Sequence, residues 1–365
     1  MKIYFKTYGC TANKADELTM RTLLKDEFDF VKNVKNSDMI IILTCGVKGS
    51  TQNKIMHRLK IFKEEFSDKK VLIAGCLPRI ITKKLEDDFP NFSMIGAYQI
   101  DKISDIVKKI LKNERIVEIN FKKLKCVIPE IIKKEQPIVI ASGCLNKCAY
   151  CATKLAKGNL FSFPINKIVK NVKICVENGA EKILLTATDT GSYGKDIGTN
   201  LVELLKEVVE IKGNFKIRVG MMNPNDAKRY LDELIEIYKN PKILKFLHVP
   251  IQSGSDRVLE DMNRNYSVKD FERVITKFRK EIPKIVISTD IICGFPTETK
   301  EDFEETLNLI KKFRPEVLNI SKFYPRPNTE AKKMKLLKTD EVKRRSRKIS
   351  KLHKEIKKDL IKPKY

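Results

Sequence analysis

The hydrophobic pattern divides the chain into short apolar runs separated by longer amphipathic stretches. Lys2–Tyr8 reads as a strand ending at Gly9-Cys10, and a helical stretch with Leu18, Leu23 and Leu24 on its apolar face follows. Met39–Cys45 has the length and β-branching of a buried strand. An amphipathic stretch runs to about Phe66, and Lys70–Cys76 is again a strand that ends in cysteine. This β-α-β-α-β alternation predicts a parallel, helix-covered sheet within residues 1–112. Residues 113–136 are lysine-rich without a long period and predict a linker.

From Pro137 the alternation resumes. Strands are predicted at Ile138–Ser142, Lys182–Thr186, Lys216–Gly220, Phe246–Val249, Ile285–Ile292 and Val317–Phe323. Helices are predicted at Ile165–Asn178, Leu201–Ile211, Asp226–Tyr238, Val268–Phe278 and Lys300–Lys312. Six β/α units over residues 137–330 predict a partial or full (β/α) barrel, which puts chemistry at the C-terminal ends of its strands. Residues 331–365 hold 15 Lys and Arg against 4 Asp and Glu, and predict a basic helix or a partly disordered arm.

Composition narrows the function classes. Of 365 residues, 42% are apolar and 33% charged, enough for a sizeable core and against wholesale disorder. Lys and Arg number 73 against 47 Asp and Glu, a net charge of +26 that favours polyanions, nucleic acid before an anionic membrane surface. The longest apolar runs fall far short of the roughly 18 residues of a spanning helix. Lys6 interrupts the short apolar start, so no signal peptide is expected and a cytoplasmic address without membrane attachment follows. No P-loop signature occurs, which argues against that class of NTPase.

Nine cysteines in a reducing compartment point to metal ligands, catalysis or inert core thiols. Cys144-Leu-Asn-Lys-Cys148-Ala-Tyr-Cys151 follows the first strand of the second half with C-x3-C-x2-C spacing. A closed zinc site needs a fourth ligand, and no neighbouring Cys or His offers one. Three thiolates on a short loop suit a 4Fe-4S cube with one iron left open to an exogenous ligand. Cys10, Cys45 and Cys76 each sit just past a predicted strand, on the edge where an open parallel sheet binds ligands. They are either buried structural thiols or a second convergent ligand set. Cys175 and Cys293 read as core thiols, and Cys126 falls in the linker.

The C-x3-C-x2-C loop on a β/α barrel resembles the radical S-adenosylmethionine (SAM) superfamily. The resemblance sharpens to the methylthiotransferase family through Tyr8-Gly-Cys10-Thr-Ala-Asn13, Leu43-Thr-Cys45-Gly-Val47 and Ala74-Gly-Cys76. It continues through Leu185–Gly194, Arg218–Pro224, His248–Asp256, Thr289–Pro296 and Phe323–Pro327. It implies an N-terminal Rossmann-like domain followed by a partial (β/α)6 radical SAM barrel. It implies that Cys144, Cys148 and Cys151 hold the SAM cluster, and that Cys10, Cys45 and Cys76 hold an auxiliary 4Fe-4S cluster that handles the transferred sulfur. Cofactors are then two 4Fe-4S clusters and S-adenosyl-L-methionine, with Tyr150, Asp189, Arg218 and Gln252 as candidate SAM contacts. The cleaved SAM would give a 5′-deoxyadenosyl radical that abstracts hydrogen from substrate.

Asp189-Thr-Gly-Ser-Tyr-Gly-Lys-Asp196-Ile-Gly-Thr-Asn200 and Thr153–Leu160 resemble the archaeal and eukaryotic members that act on N6-threonylcarbamoyladenosine (t6A) in tRNA. Isopentenyladenosine in tRNA and a ribosomal-protein aspartate are the family's other substrates, and a zinc-stabilised RNA-binding protein is the rival of another class. The expected partners are tRNA and an electron donor such as ferredoxin or flavodoxin, and the sulfur donor is not legible. Members usually carry a small C-terminal β-barrel for RNA. Here the basic tail stands in its place, as in a naturally short form or a truncated chain. Asn328 replaces the family's usual glycine, which asparagine's tolerance of turns should accommodate. Lys154, Lys157 and the tail lysines are candidates for phosphate contacts.

Overall fold

The computed structural model describes residues 1–361 apart from Lys48 and Lys123, so the last four residues of the basic tail lie outside the described residues. The chain divides into two units. The first comprises Met1–Cys144, Ala152–Thr188 and Lys212–Phe215; the second comprises Leu145–Cys151, Asp189–Ile211 and Lys216–Tyr365.

The first unit is built on a six-stranded sheet of β1 (Lys2–Thr7), β2 (Asp29–Val31), β3 (Met39–Thr44), β4 (Lys70–Gly75), β5 (Ser93–Gly96) and β6 (Val117–Glu118). Its order is β2-β1-β3-β4-β5-β6, and every pair is parallel. All six residues of β3 are buried, as a central strand covered on both faces requires. Period-2 alternation sends Ile41 and Leu43 to one face, where Met20 and Leu24 of α1 (Thr11–Leu24) cover them. It sends Ile40 and Ile42 to the other, against Ile55, Leu59 and Phe62 of α2 (Gly49–Glu65). Strand order reverses at β1 and β3, which opens a crevice outside their C-terminal ends. The strands β2, β5 and β6 lie beyond what the pattern predicts. The last of them falls within the predicted linker, and described residues 119–134 form no helix or strand. Later in this unit Glu135–Val139 pairs in parallel with Lys182–Thr186.

The second unit contains a parallel sheet of Phe246–His248, Val286–Cys293 and Val317–Lys322, close to the predicted spans. Thr299 opens the helix Lys300–Phe313 with a reciprocal cap to Asp302. The single helix expected at Asp226–Tyr238 is two, Pro224–Arg229 and Leu231–Lys239, because Tyr230 leaves helical geometry at φ −118° and ψ 33°. Asn328 adopts a left-handed φ of 56°, the turn conformation expected of it.

The tail is a helix, Thr339–Ile361, docked on this unit rather than an arm. Arg345, Ile349, His353 and Ile356 recur at helical spacing and are buried. Arg345 donates to the Glu298 carboxylate at 2.6 Å and to the Glu298 carbonyl at 2.9 Å, and His353 Nε2 lies 3.0 Å from the Pro315 carbonyl. Arg347, Lys351, Lys354 and Lys358 are exposed at spacings that align them along another stripe. Among the described residues no helix is long and apolar enough to cross a membrane.

Candidate functional site

In the first unit, β1, β3 and β4 are neighbours, so the residues after them meet at one sheet edge. Side chains knit these three turns. Asn13 Nδ2 donates to the Tyr8 carbonyl at 2.7 Å and to the Thr44 carbonyl at 2.9 Å, tying the Cys10 turn to the Cys45 turn. Thr44 Oγ1 donates to the Ala74 carbonyl at 2.7 Å and accepts from Leu77 N at 3.2 Å, while Cys76 N donates to the Thr44 carbonyl at 3.0 Å. The Cys45 and Cys76 turns are thereby tied. Gly9 has φ +112°, and a Cβ placed there would lie 2.5 Å from Cys45 Cβ and 3.0 Å from Cys45 Sγ. Only glycine brings the Cys10 turn this close to Cys45. Cys45 and Cys76 are buried and Cys10 is exposed. Burial pushes the Cys76 thiol up to about 12, against the opposing pull of the Lys157 ammonium. A group that replaces its proton with a metal relieves that cost.

Among the described residues no three His, Cys, Asp or Glu side chains gather around a single metal ion. A cube carries each thiolate on a different iron, so its ligands stand farther apart than those of one zinc. Three thiols at neighbouring strand ends suit that wider group, which takes one ligand from each and leaves one corner free.

The C-x3-C-x2-C loop begins at Cys144, the last residue of the first unit's opening segment. Gly143, with φ +74°, lies where a Cβ would meet the Asn159 carbonyl oxygen at 1.8 Å. Cys144 N donates to the Gly158 carbonyl at 3.2 Å, and Lys154 Nζ donates to the Cys144 carbonyl at 2.6 Å. In the second unit, Cys148 is met by a residue not predicted from the sequence, Arg264, which Tyr266 supports, and the Arg264 charge acts on Tyr150 and Asp189. Arg264 donates to Cys148 Sγ at 2.9 Å and to the Tyr266 hydroxyl at 2.8 Å, and Tyr266 donates to the Ile251 carbonyl at 2.8 Å. Burial raises the Cys148 thiol, and the Arg264 charge opposes it. Burial likewise raises the Tyr150 phenol. Only the basic and aromatic pair in Asn263-Arg264-Asn265-Tyr266, just after a helix, hinted at this group.

Asp189 is buried, and four donors converge on its carboxylate. Gly191 N and Asn223 N lie at 3.1 Å, Asn146 Nδ2 and Ser192 Oγ at 3.3 Å. Asp189 thus connects the cysteine loop to two later strand-end turns. Burial and then the neighbouring Asp226 carboxylate raise Asp189, against the Asn223 N–H, the Arg264 charge and the Gly191 N–H. Gln252 is buried with a left-handed φ of 77°, its N–H donating to the Asp290 carbonyl at 2.8 Å and its carbonyl accepting from Ile292 N at 2.9 Å. A non-glycine residue held there stores backbone strain, a feature common at binding sites. Arg218 is half-buried, its guanidinium 4.4 Å from the Phe246 ring centre. The described contacts do not join it to the Asp189 group.

Lys154 and Lys157 both have partners within the protein. Lys154 serves the Cys144 carbonyl, and Lys157 is buried with its ammonium 3.7 Å from Asp16. His248 Nε2 lies 3.1 Å from Asp290 Oδ1, which also accepts from Asn319 at 2.6 Å, a hydrogen-bonded, half-buried histidine. Cys175 and Cys293 are buried, and burial pushes them up to about 12 and about 11, which keeps them inert thiols.

Residues 138–310 match the Radical SAM superfamily, and residues 2–96 match Uncharacterized protein family UPF0004. The chain is 40% identical over 354 residues to the probable threonylcarbamoyladenosine tRNA methylthiotransferase of Pyrococcus horikoshii, covering 95% of this chain and 82% of that protein. It is 42% identical to the like-named protein of Archaeoglobus fulgidus, covering 98% of this chain and 84% of the relative. It is 38% identical to the threonylcarbamoyladenosine tRNA methylthiotransferase of Homo sapiens, covering 96% of this chain and 62% of the human protein. Among solved structures, the radical S-adenosylmethionine methyltransferase TsrM from Kitasatospora setae shares the fold with a TM-score of 0.67 at 13% identity, over 90% of this chain and 76% of that one.

Proposed function

The chain belongs to the threonylcarbamoyladenosine tRNA methylthiotransferase family, and on that premise we infer that it methylthiolates C2 of t6A at position 37 of tRNA. It is a radical SAM transferase whose polyanionic partner is tRNA. When bound, its 4Fe-4S clusters and SAM supply the reductive cleavage of the sulfonium, the methyl group and the place where sulfur is held.

The observation that carries this reading is the knitting of the Cys10, Cys45 and Cys76 turns by Asn13 and Thr44, in a chain that also bears the C-x3-C-x2-C loop. We propose that the first trio holds the auxiliary cluster and that Cys144, Cys148 and Cys151 hold the SAM cluster. Arg264 donates a charged N–H to Cys148 Sγ, which stabilises the thiolate and tunes whatever it ligates. Asp189, through Asn146, holds the cysteine loop in register with the turns at Gly191 and Asn223. Tyr150, Gln252 and Arg218 complete the proposed SAM contacts, Gln252 by the fixed turn its strained backbone makes. The parts of the protein are proposed as 1–112 for the auxiliary cluster, 113–136 as linker, 137–330 as radical SAM core and 331–365 as basic tail. A small iron–sulfur or flavin protein, ferredoxin or flavodoxin, is proposed as the electron donor, and the cytoplasm as the compartment.

The test is nucleoside mass spectrometry of bulk tRNA from cells with and without this protein. The 2-methylthio derivative of t6A is expected only when the protein is present. A change confined to the isopentenyladenosine derivative, or to a ribosomal protein, would overturn the substrate assignment.

A further inference from the structure

Three consecutive residues of one turn hold three consecutive residues of the cysteine loop. The Met262 carbonyl accepts from Ala149 N at 3.0 Å, Asn263 Nδ2 donates to the Lys147 carbonyl at 2.8 Å, and Arg264 Nη1 donates to Cys148 Sγ at 2.9 Å. The turn is itself tied down. It follows the helix Asp256–Asp261, and Met262 N, Asn263 N and Arg264 N donate back to the Val258, Glu260 and Leu259 carbonyls at 2.9, 2.7 and 2.9 Å. Asn263 makes the reversal with a left-handed φ of 55°, which asparagine tolerates. Met262 packs with Ala149, Val258 and Phe295 beneath it. On the other side of the loop the Ala149 carbonyl accepts from Ala331 N at 2.9 Å.

This clamp delivers a fixed positive charge to one sulfur. Arg264 Nε is occupied by the Tyr266 hydroxyl at 2.8 Å, and the guanidinium carbon lies 4.8 Å from the Tyr266 ring centre. Tyr266 is buried and passes its own proton to the Ile251 carbonyl at 2.8 Å, so the guanidinium is aimed from behind. Arginine suits the place because its planar fork serves the phenol and the sulfur at once. Cys148 and Arg264 are both half-buried, so water screens their contact only in part. Uptake of one electron on this loop adds negative charge that spreads over the sulfurs, and a charged N–H on one of them favours the added charge. The electron comes from the small iron–sulfur or flavin protein proposed as donor, which is oxidised by one electron. No proton has to move, because a guanidinium keeps its charge.

We propose that Arg264, presented by the Met262–Arg264 turn and aimed by Tyr266, is a positioning residue that raises the reduction potential of the cluster held by Cys144, Cys148 and Cys151. This rests on the assignment of that cluster to the loop. It gives the turn a role in electron uptake, apart from any contact with SAM or with tRNA.

The test uses the full chain carrying Cys10→Ala, Cys45→Ala and Cys76→Ala, reconstituted without air, so that of the two cysteine sets only the loop can bind iron. The midpoint potential is read without SAM, by potentiometric titration followed through the electron paramagnetic resonance of the reduced cluster. Adding Arg264→Met removes the charge and its donors, and is expected to lower the equilibrium constant for reduction about tenfold, which is about 59 mV for one electron. Arg264→Lys keeps the charge and should lie nearer the parent than Arg264→Met, and iron content should match the parent in both. An unchanged midpoint in Arg264→Met overturns the proposal. So does an equal shift in Arg264→Lys, or loss of iron from both variants alike, since either result makes the residue a part of the loop's scaffold. A parent that takes up no iron removes the cluster assignment itself, a failure that iron analysis alone separates from the others.

Discussion

Replacing Arg345 with alanine tests whether the docked tail helix is part of the second unit's core. Arg345 and Glu298 side chains are 3% and 1% exposed and lie 2.6 Å apart. Glu298 also accepts from Gly294 N at 2.8 Å, and Arg345 Nε donates to Glu341 at 2.7 Å. Arg345→Ala leaves a buried carboxylate without its counter-charge, which costs about 3–5 kcal/mol. For a unit of this size each kcal/mol lowers Tm by about 2–4 °C, so a fall of roughly 6–20 °C is expected by calorimetry at pH 8. The pH dependence has a definite sign. Burial already raises Glu298 above its ordinary value despite Arg345. Without the guanidinium it rises further, so the folded variant holds a proton that the unfolded chain releases. Stability of the variant therefore falls as pH rises through that raised value, and the loss relative to the parent is smaller at pH 5 than at pH 8. Combining Arg345→Met with Glu298→Gln removes both charges and should recover more than half of the loss. A Tm within about 2 °C of the parent for Arg345→Ala at pH 8 would refute the reasoning and return the helix to a loosely attached arm.

Cys148→Ala is expected to abolish SAM cleavage while leaving the auxiliary cluster, and Cys45→Ala to leave uncoupled SAM cleavage without methylthiolated tRNA; full product from Cys45→Ala would remove the sulfur-handling role. Gly9→Ala forces a methyl within 2.5 Å of Cys45 Cβ from a left-handed backbone, and should cost about 1–3 kcal/mol and lower the iron bound by the first trio, measured by iron analysis after reconstitution. Reversing Arg347, Lys351, Lys354 and Lys358 to glutamate spares the buried face of the tail helix and should flatten the salt dependence of tRNA binding by about 0.7–0.9 in slope for each phosphate no longer neutralised; an unchanged slope would take the tail out of the interface.

The central strands were legible because their burial leaves a continuous β-branched run, as in Met39–Thr44, and each is followed within three residues by a cysteine. The strand Asp29–Val31 was not, since three partly exposed residues at a sheet edge carry no period. Val117–Glu118 is shorter still and is set by pairing with β5 rather than by its own residues. The six cysteines proposed as cluster ligands stand out by spacing and position. What the sequence hides is partnership. Lys157 reads as one more surface lysine until the fold turns it toward Asp16, and Arg264 lies 116 residues from the Cys148 sulfur it touches. Asp189 was singled out for a ligand, and the structure gives its carboxylate four donors from the protein itself. The tail's positive charge concealed an apolar stripe at Ile349 and Ile356, because its lysines outnumber the residues that dock it.

That docked helix has a thermodynamic consequence. From Arg347 to Lys358 the four basic side chains cover eleven helical steps, about 16 Å along a rod that exists before any RNA arrives. Association through it requires no coil-to-helix ordering, so the large negative heat-capacity change of a segment that folds on its partner should be missing. Affinity contributed by this rod would then vary little between a cold and a hot cell.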